Sequence, residues 1–227
     1  MGRGHHEAST RSRGPGASYD RGMRTEIDPA DPAVNFYRML TAVVVPRPIA
    51  WVSTLSEDGV PNLAPHSFYS VACARPPIVL FTSVGRKDTL RNVRATGEFV
   101  VNLATARLLD EVNDSAARFA PEQSEPDELG IVMEPSKRVA PARVAASPVS
   151  IECRLHSATE LGDSTLVLGD VVLMTVDEDV LVDGHPEYDL LDPLARLGKD
   201  EWALHAEVRS IPRPQRPEDI QDHQRRD

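Results

Sequence analysis

At 227 residues, 41% hydrophobic and 26% charged, the chain has the composition of a globular protein long enough to bury one substantial core. A formal net charge of −10 and a pI near 5.2 exclude a protein dominated by contacts to nucleic-acid phosphates. Two cysteines, Cys73 and Cys153, make neither a disulfide framework nor a zinc site, and no apolar run is long enough to cross a bilayer.

The chain opens with MGRGHHEASTRSRGPGASYDRG, which lacks hydrophobic periodicity and the apolar segment of a secretion signal. Residues 1–26 are therefore expected to be a disordered tail, with Met23 an alternative start to Met1, the His5-His6 pair incidental, and the location cytoplasmic. Residues 212–227, rich in proline and charge, are expected to form a second loose tail, leaving a folded body over 27–211 without internal repeats.

Within that body the first strand is predicted over Ile49–Leu55 (IAWVSTL), followed by turn chemistry at Glu57-Asp58-Gly59. Asn62–Tyr69 (NLAPHSFY) is expected to return as its partner; Pro65 demands an edge, a bulge or a break, so this segment should be irregular. Ile78–Val84 and Glu98–Ala104 read as further strands. Between them lies a helix over 86–96, with Leu90 and Val93 on its apolar side and Gly97 as its stop. A second helix is expected over 107–118, and the Pro-, Glu- and Ala-rich stretch 121–148 reads as a long surface excursion. Val149–Leu155 and Thr165–Val176 resume strand character, with Gly169 marking a bulge or a close approach. A mainly β chain with a few short helices favours a barrel over a parallel α/β sheet.

No phosphate loop, GxGxxG, HExxH, CxxC pair or GxSxG elbow is present. The cluster Asp183, His185, Glu187 and Asp189 reads as a solvated acidic loop, because no second ligand set supports a metal. Three features point to a bound ligand. Gly85-Arg86-Lys87-Asp88-Thr89 joins a strand to a helix and brings two cations and a hydroxyl to free helical N–H groups, which suits an anion. The competing reading makes Asp88 or Thr89 a simple N-cap with the cations in solvent. Ser53-Thr54 ends a buried strand, and Asn62–Phe68 is a proline-containing segment whose unpaired backbone groups need partners.

In that order these pieces, PRPIAWVSTLSEDGVPNLAPHSFYSVACARPPIVLFTS and then GRKDTLRNVRATGEFVVNL, resemble the flavin reductase-like, FMN-binding split-barrel family, which includes flavoredoxin-type proteins. The similarity spans about residues 34–205. The resemblance implies an antiparallel, Greek-key split barrel of about six strands, usually a homodimer with FMN near the subunit interface. It places Lys87, Asp88 and Thr89 at the FMN phosphate with Arg86 nearby. Ser53, Thr54, Asn62, Ala64, Pro65, His66 and Ser67 then line the flavin ring and ribityl chain, with Arg47 a further contact and Trp51 or Phe68 available to the ring faces. It implies a flavoprotein oxidoreductase drawing electrons from NADH or NADPH, with no catalytic side chain and no metal, since FMN itself carries the redox chemistry. The alternatives are a non-catalytic FMN carrier and a haem- or pyridoxal-phosphate-binding relative on the same scaffold. Two positions depart from the family pattern. His66 stands where Tyr or Phe is usual, and the Arg196–Trp202 segment replaces a Gly-Gly followed by Tyr.

Overall fold

The computed structural model describes residues 23–217, so the tail expectations for 1–22 and 218–227, the His5-His6 pair included, lie outside the described residues. The described residues fall into two units, 23–37 and 38–217. In the first, the Asp28 carboxylate accepts the Ala30 N–H (2.8 Å) and the Asp31 carboxylate accepts that of Ala33 (2.9 Å). These are aspartate-capped turns, the local alternative to helix or strand.

The second unit is built on a seven-stranded sheet. Its strands are β1 (Ala50–Leu55), β2 (Pro61–His66), β3 (Tyr69–Ala74), β4 (Pro77–Val84), β5 (Glu98–Leu103), β6 (Val149–Leu161) and β7 (Ser164–Val176). They lie in the order β2-β1-β5-β6-β7-β4-β3, and every neighbouring pair is antiparallel. The two outermost strands, β2 and β3, are consecutive in the chain and joined only by Ser67-Phe68. A sheet whose two edges are two residues apart cannot lie flat; it curls into a barrel left open between those edges. The fold is therefore a mainly β split barrel with short helices, as the sequence implies. The strand missing from the expected six is β3 (YSVACA), a mostly exposed edge strand of small residues with little hydrophobic alternation to announce it.

Alternation along β1 sorts its side chains between two cores. Ala50 and Val52 enter the barrel interior with Phe81, Phe99, Val101 and Val167, whereas Trp51 packs outside with Leu63, Leu108, Val112 and Leu194. Trp51 is thus a core residue, its Nε1–H donating to Ser115 Oγ (2.9 Å). Gly169 is both a register shift against β6 and a close approach: a Cβ there would lie 2.3 Å from Phe99 Cζ. Cys153 is buried in the barrel core, and burial pushes its thiol up to about 12.

The helices are α1 (Phe36–Val43), α2 (Asp88–Thr96), α3 (Leu109–Asp114), α4 (Glu125–Leu129) and α5 (Tyr188–Leu191). Among the described residues no helix is long and apolar enough to cross a membrane. Helix α2 turns Leu90 and Val93 into the barrel core and ends at Gly97, which has the left-handed conformation expected of a stop (φ 74°). The helix expected over 107–118 is shorter, a 3-10 turn at Ala106–Leu108 followed by α3, which ends at Asp114. The stretch 121–148 is not a plain surface excursion. It contains α4 and a small ladder pairing Met133–Glu134 with Arg143–Val144, and it buries Ser124, Glu125, Pro126 and Val144.

Pro65 leaves β2 regular. The register runs unbroken from Ala50 opposite His66 to Leu55 opposite Pro61. The reason is the edge position. The Leu63 N–H is donated to the Glu125 carboxylate (3.0 Å), away from β1, so the Ser53–Leu63 pair is not hydrogen-bonded across the ladder. With a period of two, the nitrogens of Pro61 and Pro65 also face outward, where a missing N–H breaks no ladder bond.

Candidate functional site

The site is assembled where β4 ends and α2 begins. Gly85, at φ 72°, turns the chain out of the strand and donates its N–H to the Asp163 carbonyl (2.9 Å). Lys87 then takes the N-cap position with extended backbone and no side-chain capping bond. The first intrahelical bond runs from the Arg91 N–H to the Lys87 carbonyl (3.1 Å), so the N–H groups of residues 88–90 stand outside the helical ladder. Neither Asp88 nor Thr89 is the cap. The Asp88 carboxylate pairs with Arg91 (2.5 Å), and Thr89 Oγ1 accepts from Asn62 Nδ2 (3.1 Å). The side chains of Arg86 and Lys87 are exposed and make no hydrogen bond or ion pair among the described residues. Partial positive charge at the helix end and two unpaired cations converge on one point.

Beneath that point a buried polar network fixes α2 to the barrel. Asn62 Nδ2 donates to Thr54 Oγ1 (3.3 Å) as well as to Thr89, and Asn92 Nδ2 donates to Thr54 Oγ1 (3.1 Å). Thr54 and Asn62 therefore form the floor of the site.

A cleft of ≈ 720 Å³ opens above this floor and brings together seven of the predicted residues: Asn62, Ala64, Pro65, Arg86, Lys87, Asp88 and Thr89. Its β2 wall has a definite polarity. Pro61 and Pro65 carry no N–H, and the Leu63 N–H is taken by Glu125, so the outward backbone groups of this edge are acceptors. The cleft thus opposes a donor-rich, cationic helix end to an acceptor-rich strand edge.

The other predicted residues lie around the cleft. Ser53 faces away from it, its hydroxyl donating to the Ala142 carbonyl (2.5 Å) and accepting from Asn102 Nδ2 (3.3 Å). Arg47 is buried as a knot in the chain. Its Nη1 donates to the carbonyls of Thr41 and Val44 (the latter 3.2 Å), its Nη2 to that of Leu197 (2.8 Å), and its Nε to Ser67 Oγ (3.5 Å). His66 points into the barrel, its ring centroid 4.7 Å from that of Phe81, with Nε2 buried and without a hydrogen-bond partner. Burial, reinforced by the charge of Lys87 and opposed by a hydrogen bond with the Thr82 backbone, lowers its pKa to about 3. The imidazole is accordingly neutral and packs in the place of an aromatic ring.

Sequence reasoning missed two parts of the cleft: the segment Ser115–Phe119 after α3, and Glu125. Glu125 sits at the start of α4, where Ser124 Oγ caps by accepting the Asp127 N–H (3.4 Å) and Pro126 occupies the first turn. This helix-start signature was the available clue. Only 5% of Glu125 is exposed, and burial raises its carboxyl above the usual carboxylate range. Hydrogen bonds from the N–H groups of Leu63 and of Glu125 itself oppose that shift, and Asp88 adds to it.

A family model described as a flavin reductase like domain matches residues 42–191. The uncharacterized protein BH2278 of Halalkalibacterium halodurans is 37% identical over 190 residues, covering 78% of this chain and 90% of that protein. Among solved structures, nitrilotriacetate monooxygenase component B from Bacillus cereus superposes with a TM-score of 0.79 at 28% identity, covering 83% of this chain and 99% of the other. The 2-nitrobenzoate 2-nitroreductase NbaA of Pseudomonas fluorescens gives 0.77 at 27% identity, with 84% and 97% covered.

Proposed function

The chain belongs to the flavin reductase-like family, and from that premise we propose that it is an FMN-binding oxidoreductase that draws electrons from NADH or NADPH. The observation that carries this reading is the uncapped start of α2, with Arg86 and Lys87 unpaired beside it. A phosphate monoester carries about −1.5 to −2 charges and several acceptor oxygens, which match free N–H groups and two cations. In this reading Asp88 and Thr89 offer their backbone N–H groups to the phosphate. Pro65 presents an outward carbonyl of the β2 edge to the ribityl hydroxyls or the ring N–H, while Asn62 and Ala64, whose backbone groups pair with β1, line the cleft beside it. Thr54 holds the floor, while Arg47, Ser53, His66 and Ser67 support the cleft from behind.

When bound, FMN supplies the hydride and electron chemistry. The chain's own residues then bind, orient and exclude water, and none is needed as nucleophile or general base. The folded body is taken as 27–211. Exposed Val43, Val44 and Val45 after α1, with Val71 on the edge strand β3, offer apolar surface for a homodimer. A cytoplasmic location agrees with two unpaired thiols.

Stopped-flow mixing of the FMN-loaded chain with NADH and with NADPH tests the enzymatic half. Bleaching of the flavin absorbance, faster than for free FMN, is expected with at least one donor. Binding without accelerated reduction by either would assign a carrier instead.

A further inference from the structure

One buried acid lines the cleft and has no part in the reading above. Glu125 arrives from α4, reaches back across 62 residues to the N–H of Leu63 at 3.0 Å, and shares the cleft with Lys87, Asp88 and Thr89. The charged groups around it are few. Arg86 and Lys87 come from the turn before α2, Asp88 from α2 itself and Arg118 from the segment after α3, while Asp127 and Glu128 lie on its own helix. Asp88 is engaged by Arg91. Glu125 is the carboxyl in this set that is both buried and without a cationic partner among the described residues.

We propose that Glu125 is a positioning residue that holds the β2 rim through Leu63 and takes up a proton when a phosphomonoester flavin enters the cleft. The inference rests on the reading of the cleft as an FMN site. A phosphate brought into a cleft with a buried carboxylate disfavours the ionised form of that carboxylate. A proton from solvent removes the conflict. The neutral acid keeps its carbonyl oxygen for the Leu63 N–H, so the rim stays in place in both protonation states. Burial already biases Glu125 toward this state. The consequence has a definite sign: this carboxyl makes FMN retention tighter as pH falls through its folded pKa and weaker as pH rises. The second ionisation of the phosphate, near pH ~6, acts in the opposite direction. The effect is therefore read as a difference between chains or between ligands.

The test is calorimetric titration of FMN into the full chain in two buffers of different ionisation enthalpy, with wild type and Glu125→Gln compared. Wild type is expected to take up more protons than the variant. The variant, which keeps an acceptor for Leu63, should bind FMN about three- to tenfold more tightly at mildly alkaline pH, equal to half to one unit of coupled shift. At mildly alkaline pH, where the FMN phosphate is already a dianion and contributes no proton of its own, riboflavin should show no such excess uptake; that comparison uses wild type alone and survives a variant that folds poorly. Equal proton uptake by both chains with FMN, or equal uptake by wild type with FMN and riboflavin, would overturn the inference and leave the FMN reading intact. Failure of wild type to bind FMN at all would remove both.

Discussion

Two polar clusters lie on opposite faces of β1, and they differ in how fully their hydrogen-bonding groups are used. On the outer face, Asn102 Nδ2 donates to the Trp51 carbonyl (3.0 Å) and to Ser53 Oγ, while its Oδ1 accepts from the Val144 N–H (2.9 Å) and Ser150 Oγ (3.2 Å). Beside it the fully buried Glu152 accepts the N–H groups of Lys137 (2.9 Å) and Arg138 (2.6 Å). Together these residues clamp the 137–144 loop onto the barrel. On the other face, the Thr54–Asn62–Thr89–Asn92 network ends at a helix start with free N–H groups and two cations that nothing in the described chain engages. The closed cluster is scaffold; the open one keeps bonding capacity that the described chain does not use. Buried polarity alone does not mark function in this fold. Unused bonding capacity facing a cleft does.

The sharpest way to break this contrast is at the closed cluster. Glu152→Ala empties a fully buried position and strips two part-buried N–H groups of their acceptor, and should lower stability by about 3 kcal/mol, measured by urea denaturation. FMN affinity of the remaining folded protein should be unchanged. A loss under about 1 kcal/mol would mean the clamp is not needed. At the open cluster the effects should reverse: replacing Arg86 and Lys87 with alanine should weaken FMN binding by about 1–3 kcal/mol for each charged hydrogen bond lost. Stability should stay within about 0.5 kcal/mol of wild type, because both side chains are exposed and unpaired. A variant that unfolds would place these cations in the scaffold.

At neutral pH the smallest effect is expected at His66, which belongs to neither cluster. Its pKa is held at about 3 in the folded chain against an ordinary 6.5. Between those values the unfolded chain binds a proton that the native state refuses, so stability falls as pH drops through 6.5 toward 3. His66→Phe removes the unpartnered Nε2 beside Phe81 and should raise stability by about 1 kcal/mol at neutral pH. It should also flatten that part of the acid limb. Parallel acid limbs for the two chains, followed by denaturation across the pH series, would show that the imidazole is hydrated in the native state.

What was legible in the sequence was local chemistry. A strand, a glycine, two cations and a helix start within Gly85–Thr89 suggest an anion site without any distant partner, and Gly97 and Gly169 announce their roles as helix stop and close approach. The family resemblance supplied the barrel, and the link of two residues between β2 and β3 shows why that barrel must curl. Faces were harder. Ser53 and Thr54 are adjacent, and only pairing of β1 with β2 and β5 shows that Thr54 lies under the cleft while Ser53 serves the clamp. Pro65 was expected to require an edge, a bulge or a break and to make its strand irregular. The edge is what the fold supplies, and the strand stays regular because the proline nitrogen faces outward, so that edge carries acceptors rather than donors. Glu125 was opaque because its partner is 62 residues away, and the structural role of Arg47 because one of its acceptors, Leu197, lies 150 residues away; no local pattern encodes a contact at such separations.

The central claim is that a flavin phosphate sits at the start of α2, and titration of the purified chain with FMN and with riboflavin, followed by flavin fluorescence, tests it most directly. Saturable binding of one FMN per chain is predicted, with riboflavin markedly weaker and with that preference lost when Arg86 and Lys87 are both replaced by alanine. Equal affinity for the two flavins in wild type, or no saturable binding of either, would contradict it.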